Sequence, residues 1–223
     1  MMYKKIEKRL IGSLLKTHQK YPFLGEDLIV GVSGGIDSAV LYHLLSKFYE
    51  NNSFAGKIYP VHVGISGDLK TTLPDAINVE VKEDVKFPID CYFCSRLRRH
   101  YIFQFAKEVG CKYVLFAHHA DDFAERFLWN IFYQKKLESL PVKRDYFGEV
   151  TVLRPFFYVF KRDIEKYAKK YGITDNEYKC LVKNRVTGFV EKVSKLLEIN
   201  YIELVGNINY IIENYEIYGE KDE

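Results

Sequence analysis

The feature that most constrains the fold is the change of pattern along residues 28–41. The first residues of this segment are apolar and rich in β-branched side chains, which predicts a buried strand over about 28–33. Ser33-Gly34-Gly35 then ends the apolar run, and a helical pattern begins at Ile36. A strand, a glycine-rich turn and a helix in direct succession are the unit from which a parallel sheet covered by helices is built.

The same turn has the composition of a phosphate-binding loop. Gly34 and Gly35 let the backbone approach an anion, the N-terminus of the next helix favours negative charge, and Ser33 and Ser38 add hydroxyl donors. Asp37 would repel phosphate unless a cation bridges the two, so it predicts a Mg²⁺-bound polyphosphate. No lysine follows the glycines, which excludes the common ATP-binding loop. A plain turn between a strand and a helix remains the alternative.

The rest of the chain repeats this alternation of apolar runs and amphipathic segments. It predicts further strands at 57–65, 77–81, 112–117 and 150–153, and helices at 2–20, 38–50, 96–109, 121–134 and 161–171. Two more helices, at 186–199 and 201–216, form a tail. We therefore predict an α/β fold with a mostly parallel sheet, helices on both faces, an N-terminal helix and a C-terminal helical tail. Ligands of such sheets bind at the carboxyl ends of the strands.

Composition narrows the function class only moderately. The 223 residues are 48% hydrophobic and 28% charged with a net charge of +3, so charge alone does not indicate nucleic-acid binding. No apolar run approaches the ~20 residues of a membrane span, and the N-terminus lacks the apolar core of a secretory signal. We therefore expect a cytoplasmic protein, in which four cysteines favour metal or redox chemistry over disulfides.

The cysteine pattern is the second chemical feature. Cys91 and Cys94 form a C-x-x-C pair at a break before a predicted helix, a spacing that lets both sulfurs reach one metal ion or cluster. Alone, the pair leaves structural zinc, a persulfide-forming dithiol and an iron–sulfur site open. Cys180 is a third candidate, and the absence of an evident fourth ligand favours a cluster with one open iron over a closed zinc site. We expect Cys111 to serve in packing.

Several motifs together resemble the PP-loop ATPases, also called N-type ATP pyrophosphatases. Residues 33–38 resemble their S-G-G-x-D-S pyrophosphate loop. The run from Cys91 to Tyr133 resembles the tRNA 2-thiolation branch, most closely the TtcA type that makes 2-thiocytidine and that is related to TtuA. The shared motifs are C-x-x-C at 91–94, S-R-L-R-R at 95–99, A-H-H-A-D-D at 117–122, L-W-N-I-F-Y at 128–133 and L-R-P at 153–155. The chain departs from the pattern at Ala117, where the family has Gly, and at the third cysteine, where only Cys180 is present.

The resemblance implies a Rossmann-like, adenine nucleotide alpha hydrolase-like fold and a specific reaction. ATP is split to AMP and pyrophosphate, AMP activates the C2 oxygen of a pyrimidine in tRNA, and sulfur replaces that oxygen. It implies ATP, Mg²⁺ and a [4Fe-4S] cluster as cofactors, with Cys91, Cys94 and Cys180 as cluster ligands. The implied partners are tRNA, a sulfur donor (sulfide, persulfide or a carrier protein) and a second copy of the chain. We divide the chain into an N-terminal helix (1–24), a PP-loop ATPase domain (25–180) and a C-terminal helical extension (181–223).

The motifs also suggest roles for individual residues. The candidate catalytic residues are Asp37, Arg98, Asp121 and Asp122. The candidate ATP-binding residues are Ser33, Gly34, Gly35, Asp37, Ser38, His62, Val63 and His118. The candidate RNA-binding residues are Arg96, Arg99, Lys135, Lys136, Lys143 and Arg144, joined by Lys161 and Arg162, with Tyr146, Phe147 and Phe157 near them to stack an extruded base.

Each of these assignments has a simpler alternative. Asp121 and Asp122 suit an N-cap and a first helical turn, Arg98 suits a solvated helix face, and one of the two adjacent histidines is expected to pack. Each basic cluster alone is compatible with an ordinary charged surface. At the level of function, the alternatives are a PP-loop ATPase that activates another acceptor and a nucleotide- and metal-binding module without turnover.

Overall fold

The computed structural model describes residues 2–65, 73–82, 91–174 and 188–219. In these ranges one six-stranded sheet forms the centre of the molecule. Its strands are β1 (Leu28–Gly31), β2 (Ile58–Gly64), β3 (Ile77–Glu80), β4 (Tyr113–Leu115), β5 (Lys143–Tyr146) and β6 (Val150–Leu153). They follow the order β3-β2-β1-β4-β6-β5, in which all neighbours are parallel except the antiparallel pair β5 and β6.

Helices cover both faces of the sheet, as predicted. They are α1 (Met2–Lys20), α2 (Ile36–Asn52), α3 (Cys91–Glu108), α4 (Ala120–Trp129), α5 (Lys161–Tyr171), α6 (Phe189–Leu196) and α7 (Tyr201–Asn214). Side chains alternate along β1, so Leu28 and Val30 join a core with α1, α2 and α5, while Ile29 joins a core with α3. Helices α4, α6 and α7 share a third cluster. The α/β class, the mostly parallel sheet and the helices at both ends of the chain are confirmed.

Strand order defines the place where a ligand can bind. From β1 the chain runs through α2 to β2 on one side, and it later returns through α3 to β4 on the other side of β1. The carboxyl ends of β1 and β4 therefore form a topological switch point, which is the usual ligand crevice of an open α/β sheet. A helix that follows a strand of a parallel sheet runs back along the sheet against the strand direction, so the N-termini of α2, α3, α4 and α5 all lie toward this side of the sheet.

Three elements differ from the sequence-based expectation. Helix α3 begins at Cys91 and not at Arg96, so both cysteines lie in its first turn. This start was not predicted because the aromatic residues there, Tyr92 and Phe93, are exposed and do not continue the buried apolar face of the helix. Helix α4 ends at Trp129 and continues as a π-helical turn, Asn130–Gln134. Strand β5 was missed because its residues are polar, as is common for the edge of a sheet.

Two further observations bear on the sequence analysis. Cys111 is buried and its Sγ lies 3.0 Å from the carbonyl oxygen of Asp27, which confirms a packing role. Among the described helices, none combines the length and the apolar character that a membrane-spanning segment needs. The division of the chain at residues 24 and 180 stays a prediction.

Candidate active site at the carboxyl edge of the sheet

The loop between β1 and α2 has the backbone shape that an anion site requires. Gly34 is buried and has a φ of +90°, a conformation that side chains disfavour. Gly35 is the N-cap of α2 and has no side chain that could cap the helix. The positive end of the helix dipole is therefore available to attract an anion. Ser38 is buried and shapes the loop, because its Oγ accepts from Ser33 N at 3.2 Å and donates to Gly35 O at 3.1 Å.

A histidine surrounded by carboxylates lies beside this loop. His119 follows β4 as the N-cap of α4, and its backbone N–H donates to Asp122 Oδ2 at 2.9 Å. Its ring Nδ1 lies 3.3 Å from Asp121 Oδ2, and Nε2 lies 3.5 Å from Asp122 Oδ2 and 4.0 Å from Asp37 Oδ1. Burial opposes a charged imidazole, but the three carboxylates outweigh it and raise the pKa of His119. The structure thus brings three of the predicted catalytic residues together around His119.

The two adjacent aspartates have opposite environments. Asp121 is buried, and its carboxylate accepts from Lys161 N and from Tyr201 Oη, each at 2.8 Å. Burial works against ionisation of Asp121, yet His119 and these two donors lower its pKa overall. Burial raises the pKa of Asp122, with further contributions from Asp37 and Asp121. Asp121 is therefore held ionised, and Asp122 is the member of the pair better suited to exchange a proton.

Lys161 completes the charge arrangement. Its Nζ lies 2.6 and 2.8 Å from the two carboxylate oxygens of Asp37, and its side chain remains one-third exposed, at 33%. Lys161 was grouped with Arg162 as part of an RNA surface, but its ammonium group points to the phosphate loop, whereas Arg162 is exposed. The two ends of this ion pair are 124 residues apart, so no local pattern could have revealed it.

The other predicted ATP-binding residues lie deeper. His62 is buried, with Nδ1 2.7 Å from the carbonyl oxygen of Val32. Val63 packs in the core beneath α3. Burial, followed by the positive charge of Arg154, lowers the pKa of His118 well below its ordinary value, and its Nδ1 is buried without a hydrogen-bond partner in the described part of the chain. These three remain predicted ligands.

The cysteine pair lies at the same edge of the sheet. Cys91 and Cys94 occupy the first turn of α3, where the helix dipole favours thiolates, and Cys94 is half-buried. Arg98 follows Cys94 by one turn, and its Nε is buried without a hydrogen-bond partner among the described residues. Cys180 lies outside the described residues, as does the side chain of Cys91. Within the described ranges, no group of three or more His, Cys, Asp or Glu side chains is arranged to hold a metal ion.

The predicted RNA-binding residues are only partly grouped. Arg99 donates to Tyr146 Oη at 3.2 Å, and Arg144 lies over the same ring at 5.8 Å. The other four are exposed, and two of them have acidic partners: Arg96, Lys135, Lys136 (3.6 Å from Glu138) and Lys143 (2.8 Å from Asp145). Phe147 is 87% exposed and available for stacking, whereas Phe157 is only 1% exposed. The expectation that Phe157 stacks on a base is therefore wrong, because its ring packs on Phe123 in the core.

The chain matches a known domain family and several curated proteins. The family model of the PP-loop domain matches residues 3–180. The tRNA-cytidine(32) 2-sulfurtransferase of Bartonella tribocorum is 29% identical over 187 residues, which are 75% of this chain and 65% of that protein. The enzyme of the same name from Neisseria gonorrhoeae is 32% identical over 185 residues, or 74% and 58% of the two chains. The chain thus spans somewhat less than two-thirds of the length of these curated relatives.

Solved structures support the fold. The U34-tRNA thiolase NcsA of Methanococcus maripaludis, solved with its [4Fe-4S] cluster, superposes with a TM-score of 0.78 at 19% identity and covers 98% of this chain and 82% of its own. The NH3-dependent NAD synthetase of Campylobacter jejuni gives 0.50 at 15% identity, with 100% and 98% covered. The predicted resemblance to PP-loop proteins of the thiolation branch is confirmed by the family match and the names of the relatives. The chain belongs to the PP-loop domain family.

Proposed function

We propose that this chain is an ATP-dependent tRNA sulfurtransferase. In the proposed reaction, the C2 oxygen of a tRNA pyrimidine attacks the α-phosphorus of ATP and releases pyrophosphate; sulfur then attacks C2, and AMP leaves with the oxygen. The observation that carries the proposal is that a pyrophosphate loop and a C-x-x-C helix start lie at one edge of one sheet. The first accounts for activation of oxygen, and the second for supply of sulfur.

The residues of the chain divide the activation step among them. The Gly34–Gly35 backbone and the N-terminus of α2 bind the phosphates, and Lys161 adds a positive charge next to the loop. Asp37 and Asp122 present carboxylate oxygens for Mg²⁺, which prefers oxygen ligands and would neutralise the leaving pyrophosphate. Asp122 is also proposed to exchange a proton, since its pKa is raised above the ordinary value of an aspartate.

The sulfur step draws on the start of α3. Two cysteines one helical turn apart at the positive end of a helix fit part of an iron–sulfur site, and Cys180 is the proposed third ligand. A bound [4Fe-4S] cluster would supply an iron not ligated by cysteine that can hold the attacking sulfur. Arg98 lies on the same helix face and is proposed to contact the activated base or a phosphate.

A reconstituted reaction tests the function. The anaerobically purified chain is incubated with tRNA, ATP, Mg²⁺ and sulfide, and released pyrophosphate and tRNA nucleosides are measured. We expect the wild type to form a 2-thiopyrimidine and pyrophosphate in equal amounts. Asp37→Ala should release no pyrophosphate, and Cys94→Ser should release pyrophosphate without forming a thionucleoside. Pyrophosphate release without a thionucleoside in the wild type would indicate another acceptor, and the absence of both products would indicate a binding module.

The metal content is a separate test. The anaerobically purified chain should be brown and contain about four irons, as a [4Fe-4S] cluster requires. Cys180→Ser should lose this iron, while Cys111→Ser, whose sulfur is buried against Asp27, should keep it. A colourless protein with one zinc per chain would refute the cluster. Light scattering tests the proposed homodimer.

A further inference from the structure

The C-terminal helices reach directly into the candidate active site. Tyr201, the first residue of α7, donates its hydroxyl to Asp121 Oδ1 at 2.8 Å. Burial and the hydrogen bond to Asp121 raise the pKa of Tyr201, so its hydroxyl keeps its proton and remains a donor. Tyr201 lies beyond residues 3–180, the part of the chain that matches the PP-loop domain. A group outside the matched domain thus contacts one of the site carboxylates.

Asp121 transmits this contact to the rest of the site. Its second oxygen, Oδ2, accepts from Lys161 N at 2.8 Å and lies 3.3 Å from His119 Nδ1. The same Lys161 extends its ammonium group to both carboxylate oxygens of Asp37 in the phosphate loop. A short path therefore runs from α7 through Asp121 to the start of α5 and on to the loop between β1 and α2.

The hydroxyl of Tyr201 has a different role from the other contacts of α7. Asn209 Nδ2 donates to the carbonyl oxygen of Ala120 at 2.9 Å, and Val205, Ile208 and Ile212 are buried against α4. Those contacts hold α7 on α4 without touching a site carboxylate. A carboxylate in a buried site is oriented by its donors. Loss of the Tyr201 hydroxyl therefore leaves Asp121 Oδ1 without this donor and loosens the carboxylate about χ2, while Lys161 N still holds Oδ2 and α7 stays docked.

We propose that Tyr201 is a positioning residue, through which the C-terminal helices fix Asp121 and hence the placement of Lys161 on the phosphate loop. The inference rests on the proposed function for the identity of the ligand, ATP. It assigns to the tail of the chain a part in nucleotide binding.

The test compares Tyr201→Phe with two matched variants. Asn209→Ala removes a buried hydrogen bond between the same two helices but leaves Asp121 untouched, and Tyr210→Phe removes an exposed hydroxyl from α7. Affinity for a non-hydrolysable ATP analogue with Mg²⁺ is measured by calorimetry, and the KM for ATP and kcat of pyrophosphate release are measured with tRNA. We expect Tyr201→Phe to weaken binding of the analogue and to raise the KM for ATP, each about 5- to 10-fold, with kcat nearly unchanged. Asn209→Ala should lower the unfolding midpoint without changing KM.

A double-mutant cycle identifies the route. If Tyr201 acts through Asp121, adding Tyr201→Phe to Asp121→Asn should not weaken binding of the analogue any further. Unchanged analogue affinity in Tyr201→Phe, or a fall in kcat alone, would overturn the inference, and so would additive effects in the cycle. Because analogue binding needs neither tRNA nor sulfur, a missing thionucleoside would count against the proposed function while leaving this inference standing. Should Tyr201→Phe not fold, Asp121→Asn alone tests the route, and wild-type affinity for the analogue in that variant would overturn the inference.

Discussion

Replacing Lys161 by Met gives the sharpest test of the charge arrangement in the phosphate site. Met keeps most of the length of the side chain and its helix propensity but removes the ammonium group that lies 2.6 and 2.8 Å from the Asp37 oxygens. The ion pair is about one-third exposed on both sides, with side-chain exposures of 33% and 31%. Solvent therefore screens it, and its loss should reduce the free energy of unfolding by no more than about 1 kcal/mol.

The effect on ATP should be larger than the effect on stability. A phosphate oxygen bound near Asp37 loses a charge-assisted hydrogen bond of about 1.5–3 kcal/mol. At about 1.4 kcal/mol per factor of ten, this predicts a Kd for Mg²⁺-ATP roughly 10- to 100-fold higher. In addition, the Asp37 carboxylate is left without its lysine partner and repels the incoming phosphate.

Calorimetric titration with a non-hydrolysable ATP analogue and urea unfolding measure the two effects on the same samples. Arg162→Met is the matched control, because it removes a positive charge from the next residue, whose side chain is exposed and lies over Phe160. We expect the control to bind the analogue like the wild type. Wild-type affinity in Lys161→Met would refute the reasoning, as would equal losses in both variants, which would indicate only a general effect of net charge.

Three further predictions concern other parts of the molecule. Burial raises the pKa of Glu125 to about 7, above the value of 4.5 for the unfolded chain. The folded state therefore holds the proton more tightly, and Glu125 lowers the free energy of unfolding as pH rises from 4.5 through 7. In urea unfolding, Glu125→Gln should lose less stability than the wild type between pH 5 and pH 8. Gly56→Ala should lower the free energy of unfolding by about 1–3 kcal/mol, because a Cβ there would collide with the backbone of Glu26. Gly12→Ala lies in α1 with free space around the added Cβ, and it should raise the free energy of unfolding by about 1 kcal/mol; thermal unfolding measures both variants. Replacing both Lys135 and Lys136 by Ala should weaken tRNA binding and reduce the slope of log K against log salt by about 1–2 in filter-binding titrations; an unchanged slope would remove both lysines from the interface.

Local patterns predicted the elements that local physics determines. The strand, turn and helix of residues 28–41 were recognisable because apolar periodicity changes within a few residues, and the Ser33–Ser38 loop follows directly from them. Strand β5 was not recognisable, since an edge strand has little apolar alternation. The start of α3 was missed for a related reason, because Tyr92 and Phe93 face solvent.

The contacts within the candidate site depend on topology. The sequence could identify some of the residues that take part, but not which of them lie next to one another. Asp37, Asp121 and Asp122 were identified from motifs, but their common neighbour is His119, whereas the sequence predicted the adjacent His118 as the ATP-binding histidine. Lys161 was grouped with Arg162 because the two are adjacent in sequence, and only the fold shows that its ammonium group lies on Asp37. Tyr201 was not identified at all, since a lone tyrosine at the start of a tail helix has no motif that indicates a carboxylate partner 80 residues away.

The four helices that begin at the site edge differ in one respect that affects handling of the protein. Helices α2, α4 and α5 each have an acidic residue in the first turn, whereas α3 has none and has two cysteines instead. The helix dipole there, worth roughly half an elementary charge, therefore meets no carboxylate within the first turn of α3 and favours ionised sulfur. Ionised sulfur is also the form that peroxide and alkylating agents attack. After removal of the proposed cluster, the chain should consequently be inactivated in air by oxidation at this helix start, and thiol reductants should protect it.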